Sequence, residues 1–168
     1  MRKLLMKLVA GLMVVGCLFS IVACAPKLKF DKAEETLRDK GYEVEVVHDE
    51  AFDGIEGMVE RALYAEKDDA WIDIVEFKDK KTAKVYYEAT KKDYEGEILM
   101  LEGWIDFYEL VLDKYSDNLK SDEIDEIEDY IKEYKSEKAD WEKDLECLGM
   151  KGKCVWEASS TDVIKDAK

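Results

Sequence analysis

The chain has 168 residues, with 26 Lys or Arg against 41 Asp or Glu and a formal charge of −15 at pH 7. That size excludes a multi-domain enzyme, and the acidic balance excludes a nucleic-acid surface, which needs clustered Lys and Arg to neutralise phosphates. His48 is the only histidine, which removes every multi-His metal site and most His-dependent triads.

Residues 1–24 read MRKLLMKLVAGLMVVGCLFSIVAC. Arg2, Lys3 and Lys7 form a basic start, and every residue from Leu8 to Pro26 is uncharged, the outline of an export signal. Its last residues, Ile21-Val22-Ala23-Cys24, resemble the lipobox of bacterial lipoproteins. The resemblance implies that residues 1–23 are a signal peptide and that Cys24 carries a thioether-linked diacylglycerol. Residues 24–29 then serve as a short tether. Two acyl chains anchor stably, at about 0.8 kcal/mol per buried CH₂, where a single chain holds only reversibly. An uncleaved apolar anchor and ordinary cleavage after Ala25 are the alternatives, and all three place the body outside the cytoplasmic membrane.

Residues 30–168 have the length of a single domain, with no Pro beyond Pro26 and no repeat. Phe30-Asp31-Lys32-Ala33-Glu34 begins a helix, with Asp31 as the expected N-cap, Ala33 and Leu37 as its apolar stripe and Gly41 as its stop. Tyr42, Val44 and Val46 alternate with Glu43 and Glu45, the period of a half-buried strand. Asp49 to Gly57 reads as a connection. Met58–Glu66 and Ala70–Phe77 read as a hairpin turning at Lys67-Asp68-Asp69.

The middle section has a different period. Asp79 can cap a helix to about Tyr115 whose apolar positions Tyr94, Ile98, Leu101, Ile105, Tyr108, Leu112 and Tyr115 are spaced four and three. A second run from Ser121 places Ile124, Ile127, Ile131, Tyr134, Lys138, Trp141, Leu145 and Leu148 at the same spacing, interrupted only by Lys138. This is the 3.5-residue period of two helices packed along a narrow seam, and the short Ser116–Lys120 link makes them antiparallel. Whether that seam closes within one chain or with a second copy stays open at this level. Gly96 and Gly103 cost about 1 kcal/mol each inside such a helix. Lys153–Ala158 reads as a fourth strand, and Ser159, Ser160 and Thr161 cap a last short helix through Val163 and Ala167. The expected fold is α+β: a small four-stranded, mainly antiparallel sheet with helices and a long antiparallel helical hairpin over 79–146.

Catalytic and cofactor motifs are missing: no G-x-S-x-G, H-E-x-x-H, C-x-x-C, phosphate loop or dinucleotide fingerprint occurs. No cofactor or metal is expected, and the chain reads as a non-enzyme. His48 before Asp49-Glu50 reads as a solvated strand end rather than an acid–base or metal group. The block Asp122, Glu123, Asp125, Glu126, Glu128, Asp129 fans around a helix, a solvated face rather than a Ca²⁺ loop. In an exported protein Cys147 and Cys154 are candidates for a disulfide, with two buried thiols as the alternative. Most aromatics fall on seam spacing. Trp104 does not: it precedes seam residue Ile105, near Phe107, and the pair is a candidate partner contact.

The segments FDKAEETLRDKGYEVEV, VEFKDKKTAKVYY and GKCVWEASSTDVIKDAK resemble small acidic lipoproteins of Gram-positive bacteria, a resemblance that implies an address and no activity. The expected function is that of a lipid-anchored extracytoplasmic lipoprotein. It would act as a non-enzymatic interaction module of the cell envelope, with the membrane and an envelope protein as partners. The alternative is a lipoprotein that binds a small ligand or divalent cation. A third reading, a carboxylate-dependent cell-wall hydrolase, requires two acids converging in a cleft with one pKa raised.

Overall fold

The structure is a computed structural model, and it describes residues 28–48 and 57–168. The lipobox with Cys24, the signal segment 1–23 and most of the tether lie outside the described residues, as do Asp49 and Glu50. In chain order the elements are α1 (Phe30–Asp39), β1 (Glu43–His48), β2 (Val59–Lys67), β3 (Ala70–Phe77), α2 (Lys80–Tyr115), α3 (Ser121–Cys147), β4 (Gly149–Lys151), β5 (Cys154–Ala158) and α4 (Thr161–Asp166). A 3₁₀ turn, Ser116–Asn118, joins α2 to α3.

The fold is α+β. One sheet of five strands, in the order β1-β2-β3-β5-β4, is antiparallel throughout. The expectation of four strands is corrected by β4, which pairs Gly149 with Trp156 and Lys151 with Cys154. Three residues are too few to show an alternating pattern, so only the pairing partner reveals the strand. The turn between β2 and β3 does fall at Lys67–Ala70, with Asp68 at φ 55°.

Alternation divides the sheet's side chains between two cores. On one face Leu63, Ala65, Ile72, Ile74, Trp156 and Ala158 pack with Leu37 of α1 and Ile164 of α4. On the other, Val59, Phe77 and Val155 meet Ala83, Tyr87 and Tyr94 of α2 and Leu145 and Leu148 at the end of α3. The base of the helical hairpin thus covers one sheet face. The opposite face carries a cluster of seventeen buried residues, Phe30, Ala33 and Leu37 of α1 among them, and there α1 is fixed differently from expectation. Asp31 does not cap that helix; Lys29 occupies the N-cap without a side-chain bond. Asp31 lies in the first turn and pairs with Arg61 at 2.7 Å, while Arg61 also holds Glu76 at 2.8 Å. A sheet-borne arginine has captured the carboxylate that local pattern assigned to capping.

At the start of α2, Asp79 accepts from the amides of Lys81 and Thr82 at 2.8 and 2.9 Å, which satisfies donors the helix leaves open. Those bonds, from Thr82 above all, hold its carboxyl below the usual carboxylate range. The 36 residues of α2 span about 54 Å at 1.5 Å per residue. Its seam closes within the chain. Leu101, Ile105 and Ile131 are buried, Tyr94 meets Trp141 edge-on at 5.3 Å, and Tyr108 lies 6.1 Å from Tyr134. Lys138, the break in the apolar repeat, is bridged to Glu102 at 3.1 Å and Glu142 at 2.9 Å. Among the described residues, no helix is long and apolar enough to cross a membrane.

Candidate functional site

Two features of the fold carry chemistry beyond packing. The first is the flank of the hairpin. Each seam residue of α2 has a neighbour one position before it and one after it, on opposite sides of the seam. Over Leu101, Ile105, Tyr108 and Leu112 the positions after are acidic, and two of them, Glu102 and Glu109, pair with Lys138 and Lys135 across the hairpin at 3.1 and 2.8 Å. Those before the same four residues are Met100, Trp104, Phe107 and Val111. Trp104 and Phe107 are 46% and 50% exposed, and Met100 and Leu110 are exposed with them. Between Leu101 and Leu112, one flank of the seam therefore carries ion pairs and the other is apolar.

The exposed rings are ordered among themselves. Trp104 and Phe107 meet edge-on at 6.1 Å, Phe107 and Tyr108 at 5.3 Å, and Tyr108 lies 5.7 Å from Tyr130 of α3. Tyr130 donates to Glu126 at 2.9 Å. The patch thus runs across both helices and is bordered on α3 by Glu126 and Glu133, both exposed.

The second feature is a partly enclosed cavity of about 210 Å³ between the sheet and α2, lined by Tyr64, Asp73, Val75, Tyr86, Val155, Trp156 and Glu157. Asp73 and Glu157 are register partners on β3 and β5, and Tyr64 is the partner of Asp73 on β2. Direct opposition on antiparallel strands sets the two acids about 4.5–5.5 Å apart at Cα. Burial raises the Asp73 carboxyl to about 6, with Glu157 and Glu66 adding to the effect. Tyr94 reaches over from α2 and donates its hydroxyl to Glu157 at 3.1 Å, and burial with that carboxylate pushes the phenol well above its usual value.

This site was not foreseen, although one signal was present: Asp73 is a lone acid inside the apolar run Trp71-Ile72-Asp73-Ile74-Val75. The pair meets the charge condition for acid–base catalysis. Its shape is less suitable, because both carboxylates rise from one floor in a space below the roughly 300–1,000 Å³ of typical ligand sites.

The remaining candidates fall outside both features. The Cys147–Cys154 disulfide is not formed: both are free, buried thiols. Cys147 ends α3 and Cys154 opens β5, opposite Lys151. The extended run Leu148–Lys151 at about 3.3 Å per residue separates their Cα atoms by roughly 10 Å or more, whereas a disulfide requires less than about 7 Å. His48 is an exposed strand end opposite Arg61. The acidic residues of α3 lie along its exposed surface, and among the described residues no group of three or more His, Cys, Asp or Glu is arranged to hold a metal ion. Of the other tryptophans, Trp156 is buried in the sheet core, Trp141 belongs to the seam, and Trp71 stands exposed on β3. Comparison with known proteins finds no matching family model, no similar curated sequence and no similar solved structure.

Proposed function

We propose that the protein is a lipoprotein held by a diacylated Cys24 on the outer face of the cell membrane. In this reading it is a non-enzymatic module whose hairpin flank docks a protein of the envelope. The observation that carries the docking is the exposed Trp104–Phe107 edge, on the flank opposite the ion pairs of Glu102 and Glu109. A long helix in water keeps its large apolar side chains on the buried stripe. Here Met100, Trp104, Phe107 and Leu110 form a second stripe left exposed by the described residues, and aromatic anchors of this kind dominate interfaces.

Charge supports one class of occupant. The segment Asp113–Glu146 carries 14 acids and 6 bases, and Glu126 and Glu133 border the patch. A second copy would bring the same negative rim against it, at a cost in affinity. The complementary partner presents an apolar ridge flanked by Lys and Arg. The same negative charge is repelled by an anionic lipid surface, so the hairpin points away from its own membrane.

Two measurements test the reading. Intact mass of detergent-extracted protein is expected to show a chain beginning at a lipid-modified Cys24; an unmodified chain starting at Met1 overturns the anchor. For docking, a photo-cross-linker at Met100 in intact envelopes is expected to yield one discrete adduct that is lost in Phe107→Asp and at high salt. A cross-linker at Glu128, on another face, is expected to yield none. Equal adducts from both positions, or a homodimer in sedimentation that Trp104→Ala dissolves, overturns the proposed partner.

A further inference from the structure

The cavity beneath α2 combines a negative floor with aromatic and apolar walls, and among the described residues no basic side chain lines it. Among the described residues no hydrogen bond or ion pair reaches the Asp73 carboxylate, and the charges acting on it, Glu157 and Glu66, are both negative. A partly buried carboxylate normally acquires a counter-charge. Its absence here coincides with an accessible space. We propose that this cleft binds a small organic cation, its ammonium head against Asp73 and Glu157 and its carbon body against the rings of Tyr64 and Tyr86.

The lining separates this ligand class from its competitors. A hard metal ion takes six or more oxygen ligands, and the described residues hold no group able to supply them. An anion is repelled by the paired carboxylates. An alkylammonium suits both parts of the site, since its charge pairs with the acids and aromatic faces attract cations through the ring quadrupole. Val75 and Val155 supply apolar contact for the carbon chain. A space of about 210 Å³ admits one amine-bearing fragment.

The surrounding titratable groups fix the pH behaviour. Tyr64 and Glu66 of β2, Glu157 of β5, and Tyr86 and Tyr94 of α2 surround Asp73, with Asp144 of α3 acting on Tyr94. The three phenols stay neutral in the physiological range because their surroundings raise them further. Asp73, raised to about 6, therefore changes charge first as pH falls from neutrality. Cation binding weakens as it protonates. The site is separate from the hairpin flank and stands or falls independently of docking there.

The test is calorimetric titration of the full chain with n-butylammonium, tetramethylammonium, Ca²⁺ and the neutral isostere 1-pentanol, in physiological salt. One ammonium ion per chain is expected, with no saturable response to pentanol. Affinity should fall at least tenfold in Asp73→Asn, by several-fold up to about tenfold on going from pH 7.5 to pH 5 as Asp73 protonates, and should weaken in Glu157→Gln. Because an acidic protein gathers cations generally, the control is Asp129→Asn with Glu133→Gln on α3, which is expected to bind as the parent does. No saturable ammonium binding, equal binding by Asp73→Asn of unchanged circular dichroism, loss in the α3 control, or binding of Ca²⁺ alone overturns the proposal.

Discussion

Asp73 and Glu157 face one another across β3 and β5, and the Tyr94 hydroxyl donates to Glu157 while nothing donates to Asp73 among the described residues. Their hydrogen bonding is therefore unequal. Burial first, and the carboxylates of Glu157 and Glu66 second, raise the Asp73 carboxyl to about 6.

That raised value sets a pH dependence of stability. A carboxyl whose folded pKa exceeds its unfolded value favours the folded state while protonated, and the benefit is lost as pH rises through the folded value. Asp73→Asn keeps the shape without the charge. Its melting temperature is expected to exceed that of the parent at pH 7.5, with the difference shrinking toward zero by about pH 4. Thermal unfolding across that range checks it, and a pH-independent difference would mean that Asp73 has no raised pKa.

Gly149 shows how closely β4 approaches β5. A Cβ at this position would overlap the Trp156 indole, which is buried in the core between the sheet and α1. Gly149→Ala is therefore expected to lose about 1–3 kcal/mol, the range for forcing extra volume into a packed core. Urea denaturation measures it. A neutral result would show that the indole can move aside.

Gly96 and Gly103 behave oppositely. Both lie in α2 with open space where a Cβ would stand, so the seam does not need them. Gly96→Ala and Gly103→Ala are each expected to stabilise by about 0.5–1 kcal/mol through helix propensity alone. Gly103 adjoins the exposed Leu99, Met100 and Phe107, one turn away on either side. A loss of partner adduct in Gly103→Ala, with stability raised, would indicate close backbone approach by the partner at that point.

The two cysteines give a redox prediction. Burial pushes Cys154 up to about 11 and raises Cys147 as well, so neither is a thiolate near neutrality. A thiol reagent is expected to label neither in the folded protein and both after unfolding, and reductant is expected to leave the melting temperature unchanged. A product two hydrogens lighter before reduction would show that they pair.

Much of the architecture was legible along the chain. The seams of α2 and α3 were readable because a 3.5-residue period needs only local spacing, and Asp79 capped as expected because its bonds reach only two and three residues ahead. The exposure of Trp104 and Phe107 followed from the same count. Asp31 was misassigned because Arg61, thirty positions away, competes for it. Strand β4 was missed because three residues carry no period, and the choice between a disulfide and two buried thiols stayed open because register, not sequence distance, governs Cα separation.

By itself, then, the order of residues determined the class of fold, the paired helices and which aromatic residues those helices leave outside, all consequences of periodicity within single elements. Only the tertiary structure decided that β5 inserts beside β3, past an intervening hairpin of nearly seventy residues. That insertion sets Glu157 against Asp73 under Tyr94 and creates the charged cleft, because electrostatic coupling depends on distance through space rather than on separation along the chain.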